Sequence, residues 1–97
     1  MPYIEPEART PINDAIDELL RSHHVTHEGE LNYAITRLCH KYLDVAGRND
    51  KLRYTHLNQI QGVLIGALLE FYAVVSRPYE DPKREENGPV SNYDKPA

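Results

Sequence analysis

The sequence predicts an all-α fold: a small three-helix bundle with an extended N-terminal arm and an irregular C-terminal tail, in a chain that self-associates. Three observations predict it. Apolar residues recur at helical spacing in three separate stretches. Residues that start or stop helices stand between them: Thr10-Pro11, Thr26, Gly47, Thr55 and Pro78. The third stretch is apolar nearly all round, more than two neighbouring helices can cover.

Residues 1–10 carry Pro2 and Pro6 without a helical period and read as an extended arm. The first helix is expected over 11–22, in a helical domain spanning 11–78. Thr10 can cap it, and Pro11 suits a first helical position because its missing N–H has no partner there anyway. Ile12, Ala15, Ile16, Leu19 and Leu20 share one face, and Arg21 suits the negative end of the helix dipole.

"HHVTHEGE" is a connection in which Thr26 can cap the next helix, with Glu28 and Glu30 favouring its first turn. That helix, 28–46, presents Leu31, Ala34, Ile35, Leu38, Cys39, Tyr42, Leu43 and Ala46 as one wide face. Arg37, Lys41 and Asp44 fall largely away from it, and Gly47 ends it.

The third helix is expected to start at Thr55 and run to about residue 77. Leu57, Ile60, Leu64, Leu68, Phe71 and Val75 form one stripe. Val63, Ile65, Ala67, Leu69, Tyr72 and Val74 spread apolar surface around the rest, so the helix needs cover on more than one side. A homo-oligomer supplies that cover; the alternative is that arm and tail fold back over it. Gly62 and Gly66, one turn apart, would let another backbone approach closely. Pro78 disfavours helix in the residue before it, and 79–97, with three prolines, read as an extended tail. Tyr33, Leu69 and Tyr72, with Arg77, Tyr79, Glu80 and Asp81 of the arm, are the candidate oligomer or tail contacts.

At 97 residues the chain makes one domain, and 40% apolar with 27% charged residues is ordinary for a globular protein in water. The opening "MPYIEPEAR" has neither the basic nor the apolar segment of a signal peptide. No run reaches 18 apolar residues, which predicts no membrane span. The single Cys39 allows no internal disulfide, and a reducing cytoplasm is expected. A net charge of −4 argues against duplex nucleic acid, which demands many cationic contacts. The charge is uneven: residues 37–56 hold a local +3, leaving −7 elsewhere, and such asymmetry can create a positive site on an acidic protein.

"GELNYAITRL" (29–38), "LNQIQGVLIGALLEFY" (57–72) and "PYED" with "EENG" (78–88), in this order, resemble a family of small helical proteins of unassigned activity, found mainly in bacteriophage genomes and related mobile elements. The resemblance covers most of the chain and implies a compact helical protein of phage type. Three positions depart from the family pattern. Ala73 and Val74 stand where members carry arginines, and Pro89 stands where members carry Asp.

No constellation predicts catalysis, a metal or a cofactor. His23, His24 and His27 lie in a short connection without the spacing of a zinc site and read as surface polar residues. Cys39 reads as core. Asp14, Asp17, Glu18, Glu30 and Glu70 could hold magnesium, as in a helical nucleotide pyrophosphohydrolase, but form no dense acidic motif. The best candidate ligand site is "LRYTHLN": Arg53, Tyr54, Thr55 and His56 at a helix N-terminus could take a nucleotide-like anion, with Arg37, His40 and Lys41 adding charge. The bland alternative is ordinary helix capping. The expectation is a non-enzymatic protein that acts by binding, as a homo-oligomer contacting a host or phage protein, or by sequestering a cyclic nucleotide immune signal.

Overall fold

The computed structural model describes residues 2–47 and 51–95. Arg48 and Asp50 of the basic stretch lie outside the described residues. The chain is all-α: α1 (Pro6–Arg21), α2 (Glu28–Ala46), α3 (Tyr54–Phe71), a π turn (Tyr72–Ser76), α4 (Arg77–Asn87) and a 3-10 turn (Asn92–Asp94). Among the described residues there is no strand.

The arm is shorter than expected, because α1 starts at Pro6 and not Pro11. Pro6 fits the first turn, where no intrahelical N–H bond is made, and Glu7 supplies negative charge. The preceding chain is tied back by Arg9, whose Nε donates to the Ile4 carbonyl at 2.7 Å. Thr10 is therefore inside the helix and caps nothing. Pro11 leaves the Glu7 carbonyl without its usual partner, but Glu7 is exposed and water can serve it. At the other end the Ser22 N–H and hydroxyl both donate to the Glu18 carbonyl, at 3.2 and 2.9 Å. His23 then takes φ 58°, the left-handed turn that glycine usually provides.

The bounds of α2 match the expected 28–46, but its cap differs. His27, extended at φ −144°, accepts at Nδ1 from the N–H groups of Gly29 (3.1 Å) and Glu30 (3.4 Å). Thr26 instead donates its N–H and hydroxyl to Glu30 Oε1, both at 2.9 Å. These donors, the backbone N–H foremost, hold the Glu30 carboxyl below its ordinary value.

At the start of α3 the cap again is not the threonine. Arg53 holds the cap position: its carbonyl accepts from the His56 and Leu57 N–H groups at 3.0 and 3.4 Å. Its own N–H donates to His56 Nδ1 at 3.2 Å, half of a capping box with imidazole in place of carboxylate. Thr55 lies in the first turn.

Pro78 does not end the helix. The Arg77 N–H reaches the Tyr72 carbonyl, five residues back, which closes a π turn. The wider turn makes room for a ring that would strike the carbonyl four residues earlier in a regular α-helix. Pro78 then sits in the first turn of α4, directly after the π turn. Residues 77–87 are thus helical, correcting the extended tail. Gly88, at φ 84°, stops α4, and its N–H bonds the Arg84 carbonyl at 2.8 Å. Tyr54–Asn87 forms 34 residues of continuous helix, and an 18-residue stretch of it averages a hydropathy of 1.4. By length and composition it could cross a membrane; Asn58, Gln59 and Gln61 interrupt the apolar run but add no charge.

Backbone contacts divide the chain into two units, Met1–Gly62 and Val63–Ala97. In the first, α1 and α2 do not pack on one another; in the second, the π turn and α4 touch. Among the described residues no apolar side chain is buried, and only His56, 8% exposed, is. Cys39, expected in a core, is half-buried. One chain supplies the helices of a bundle, while their apolar faces remain open.

Candidate functional site

Two places gather side chains of interest, one in each unit. In the first, the end of α1, the histidine-rich connection and one side of α2 enclose a groove. Leu19, Val25, Ala34 and Leu38 provide apolar surface, and Tyr33, Arg37 and Lys41 line it together. These last three are spaced by four residues, so they stack along one side of α2. His24, His27 and Glu30 complete the polar lining. Lys41 Nζ also lies 3.7 Å from Asp44 Oδ2, an exposed pair that holds its charge only loosely.

The expected ligand set is therefore only partly assembled. Arg37 and Lys41 share the groove with Tyr33; His40 and the Arg53–His56 turn do not line it. His56 is engaged in capping α3 and has its Nδ1 occupied. Tyr54 is 83% exposed and Thr55 is exposed. The groove residues that sequence reasoning missed are those of the connection. The spacing of Tyr33, Arg37 and Lys41 was readable; that Leu19 and Val25 face them was not, because it depends on the left-handed turn at His23.

The second place is the start and end of α4. Arg77 Nε stands 2.9 Å from Asp81 Oδ1. The Tyr72 hydroxyl, and next Asp81, raise the Arg77 pKa, so the guanidinium stays charged. After Gly88 the chain folds back: Asp94 accepts from the N–H groups of Val90 (3.0 Å) and Ser91 (2.9 Å), and Ser91 Oγ accepts from the Tyr93 N–H (3.1 Å). Those two backbone donors lower the Asp94 pKa. Tyr72, Arg77, Glu80, Asp81, Arg84, Val90 and Asp94 border one polar cleft. The tail is thus held partly by its own chain. Tyr79 is exposed, as are Leu69 and Tyr72, and nothing lies within 4 Å of where a Cβ would stand at Gly62 or Gly66.

Among the described residues no three His, Cys, Asp or Glu converge on a metal position. His23 and His27 have other work, ending one helix and capping the next. The arrangement defines an all-α protein whose apolar helical faces lie open and whose polar groups are spent on local order. The chain belongs to the domain-of-unknown-function family DUF6899, whose model matches residues 1–90. Comparison with curated proteins and with solved structures finds no match.

Proposed function

We propose that this chain is a non-enzymatic accessory protein of phage type that acts by binding, as a homo-oligomeric protein-interaction module in the cytoplasm. The observation that carries this reading is the set of open apolar faces: Ile16 and Leu19 on α1, Leu31 and Leu38 on α2, and Leu64, Leu68 and Phe71 on α3 are all exposed. Large exposed apolar patches mark interaction sites. The phage-type motifs "GELNY", "EFY" and "EENG" support a partner among host or phage proteins. Light scattering on the purified chain tests the oligomer, and a clean monomer would refute it. A pull-down from host lysate that recovers one protein, lost on Leu38→Asp, tests the module.

A second reading is favoured by one observation, the grouping of Tyr33 with Arg37 and Lys41 in the groove of α2. A tyrosine ring can stack on a base while the cations take phosphate, so the groove suits a cyclic nucleotide. Calorimetric titration with cyclic di- and trinucleotides decides it. Binding abolished by Arg37→Ala with Lys41→Ala supports sequestration; no heat with any of them removes it.

A further inference from the structure

We infer that the groove beside α2 selects guanine: Glu30 takes the pairing edge of the base, Tyr33 stacks on its face, and Arg37 and Lys41 hold the phosphate. This rests on the nucleotide reading of the groove and goes further, since it names the base and the residue that reads it.

The first support is the order of side chains along one helix. Glu30, Tyr33, Arg37 and Lys41 all line the groove. Spacings of three, four and four residues keep them within about 80° of the circumference of α2. The same spacings spread them over roughly 16 Å of its axis. A carboxylate stands at one end, an aromatic ring comes next, and two cations lie beyond it. A nucleotide has the same order: a hydrogen-bonding edge, a flat base and an anionic phosphate. The Tyr33 side chain is exposed and open to stacking. Among the described residues Arg37 makes no ion pair, so its guanidinium is available to a phosphate. A ligand that is anionic throughout would suit the cations and be repelled by Glu30.

The second support is how the Glu30 carboxylate is held. Thr26 donates its N–H and its hydroxyl to Oε1, both at 2.9 Å. His27 Nε2 lies 3.5 Å from the same oxygen. One oxygen therefore anchors the group, and the lone pairs of Oε2 are left for a ligand. The Thr26 N–H foremost holds the carboxyl below its ordinary value, so at neutral pH it is ionised and accepts only. Guanine sets two donors side by side on its pairing edge, N1–H and the N2 amino group. Adenine and cytosine each set a ring nitrogen acceptor beside their amino donor, and that lone pair would face the carboxylate. Tyr33 stacks on any base; Glu30 chooses among them.

The experiment titrates the full chain calorimetrically with cyclic di-GMP, cyclic di-AMP and cyclic di-IMP, whose base lacks the N2 amino group. Cyclic di-GMP is expected to bind tightest. Loss of one hydrogen bond to a charged group should weaken the inosine form roughly tenfold, and the adenine form should bind more weakly still. In Glu30→Gln the amide oxygen stays with Thr26 and the NH₂ meets the base, so the preference for guanine is expected to vanish. Arg37→Ala should weaken all three ligands by a similar factor. A merely structural role for Glu30 would lower every affinity and leave their ratios unchanged. Equal or reversed affinity for the guanine and adenine forms overturns the inference and leaves the nucleotide reading intact. A guanine preference that survives Glu30→Gln does the same. No heat with any of the three removes both.

Discussion

The first turn of α2 and the body of α3 solve opposite halves of the folding problem. At the first turn, Thr26, His27 and Glu30 make four hydrogen bonds within the five residues from Thr26 to Glu30. Along α3 the reverse holds: the backbone is satisfied by the helix, and every large apolar side chain from Val63 to Phe71 faces outwards. Polar satisfaction is local and one chain completes it. Apolar burial is collective and one chain does not. Net stability is a small difference between large terms, so helices with caps and no core are marginal in water.

The largest expected effect breaks the apolar half. In the proposed oligomer, Leu68→Asp places a charge where the neighbours of α3 pack, and unpaired buried charge is among the few single changes worth more than about 4 kcal/mol. Loss of the oligomer by light scattering checks it. The polar half is broken by His27→Ala, expected to remove about 1 kcal/mol of helix stability by thermal melting, with His27→Asn restoring most of it. A similar but opposite change is expected at His23, where Gly relieves a left-handed residue. The gain is about 0.5–1 kcal/mol after the entropy cost of glycine.

The smallest effect is one of pH. Glu30 has its folded pKa depressed below 4.5. Its contribution is therefore complete above about 4.5 and is lost as pH falls through the lower folded value. A carboxyl-carbon NMR titration of Glu30 should show its inflection below that of a glutamate in a short unstructured peptide. An inflection at the same pH would separate the Thr26 hydrogen bonds from the cap.

Fold class and the limits of α2 were legible because a 3.6-residue period and a terminal glycine act at short range. The caps were misassigned for a chemical reason. Thr26 and Thr55 are the commoner capping residues, yet an imidazole nitrogen also accepts N–H groups at helix starts: His27 takes those of Gly29 and Glu30 at α2, and His56 takes that of Arg53 at α3. The prolines misled in a different way. Pro6 and Pro78 were read as breakers; Pro6 opens α1, while Pro78 stands inside a continuous helix. Nothing in the letters announces the π turn that lets Pro78 do so. The candidate site was half legible: the stacking of Tyr33, Arg37 and Lys41 follows from spacing alone, whereas bringing the connection against them required the turn at His23.

That π turn also works as a ruler. One extra residue in Tyr72–Ser76 rotates the downstream helix by about 100° relative to an unbroken one. An apolar seam in phase through Leu57, Leu64 and Phe71 is put out of step beyond it. The next eleven residues, Arg77–Asn87, are almost all charged or polar. In the proposed oligomer the apolar seam of α3 therefore ends at the π turn, and the charged α4 lies outside it.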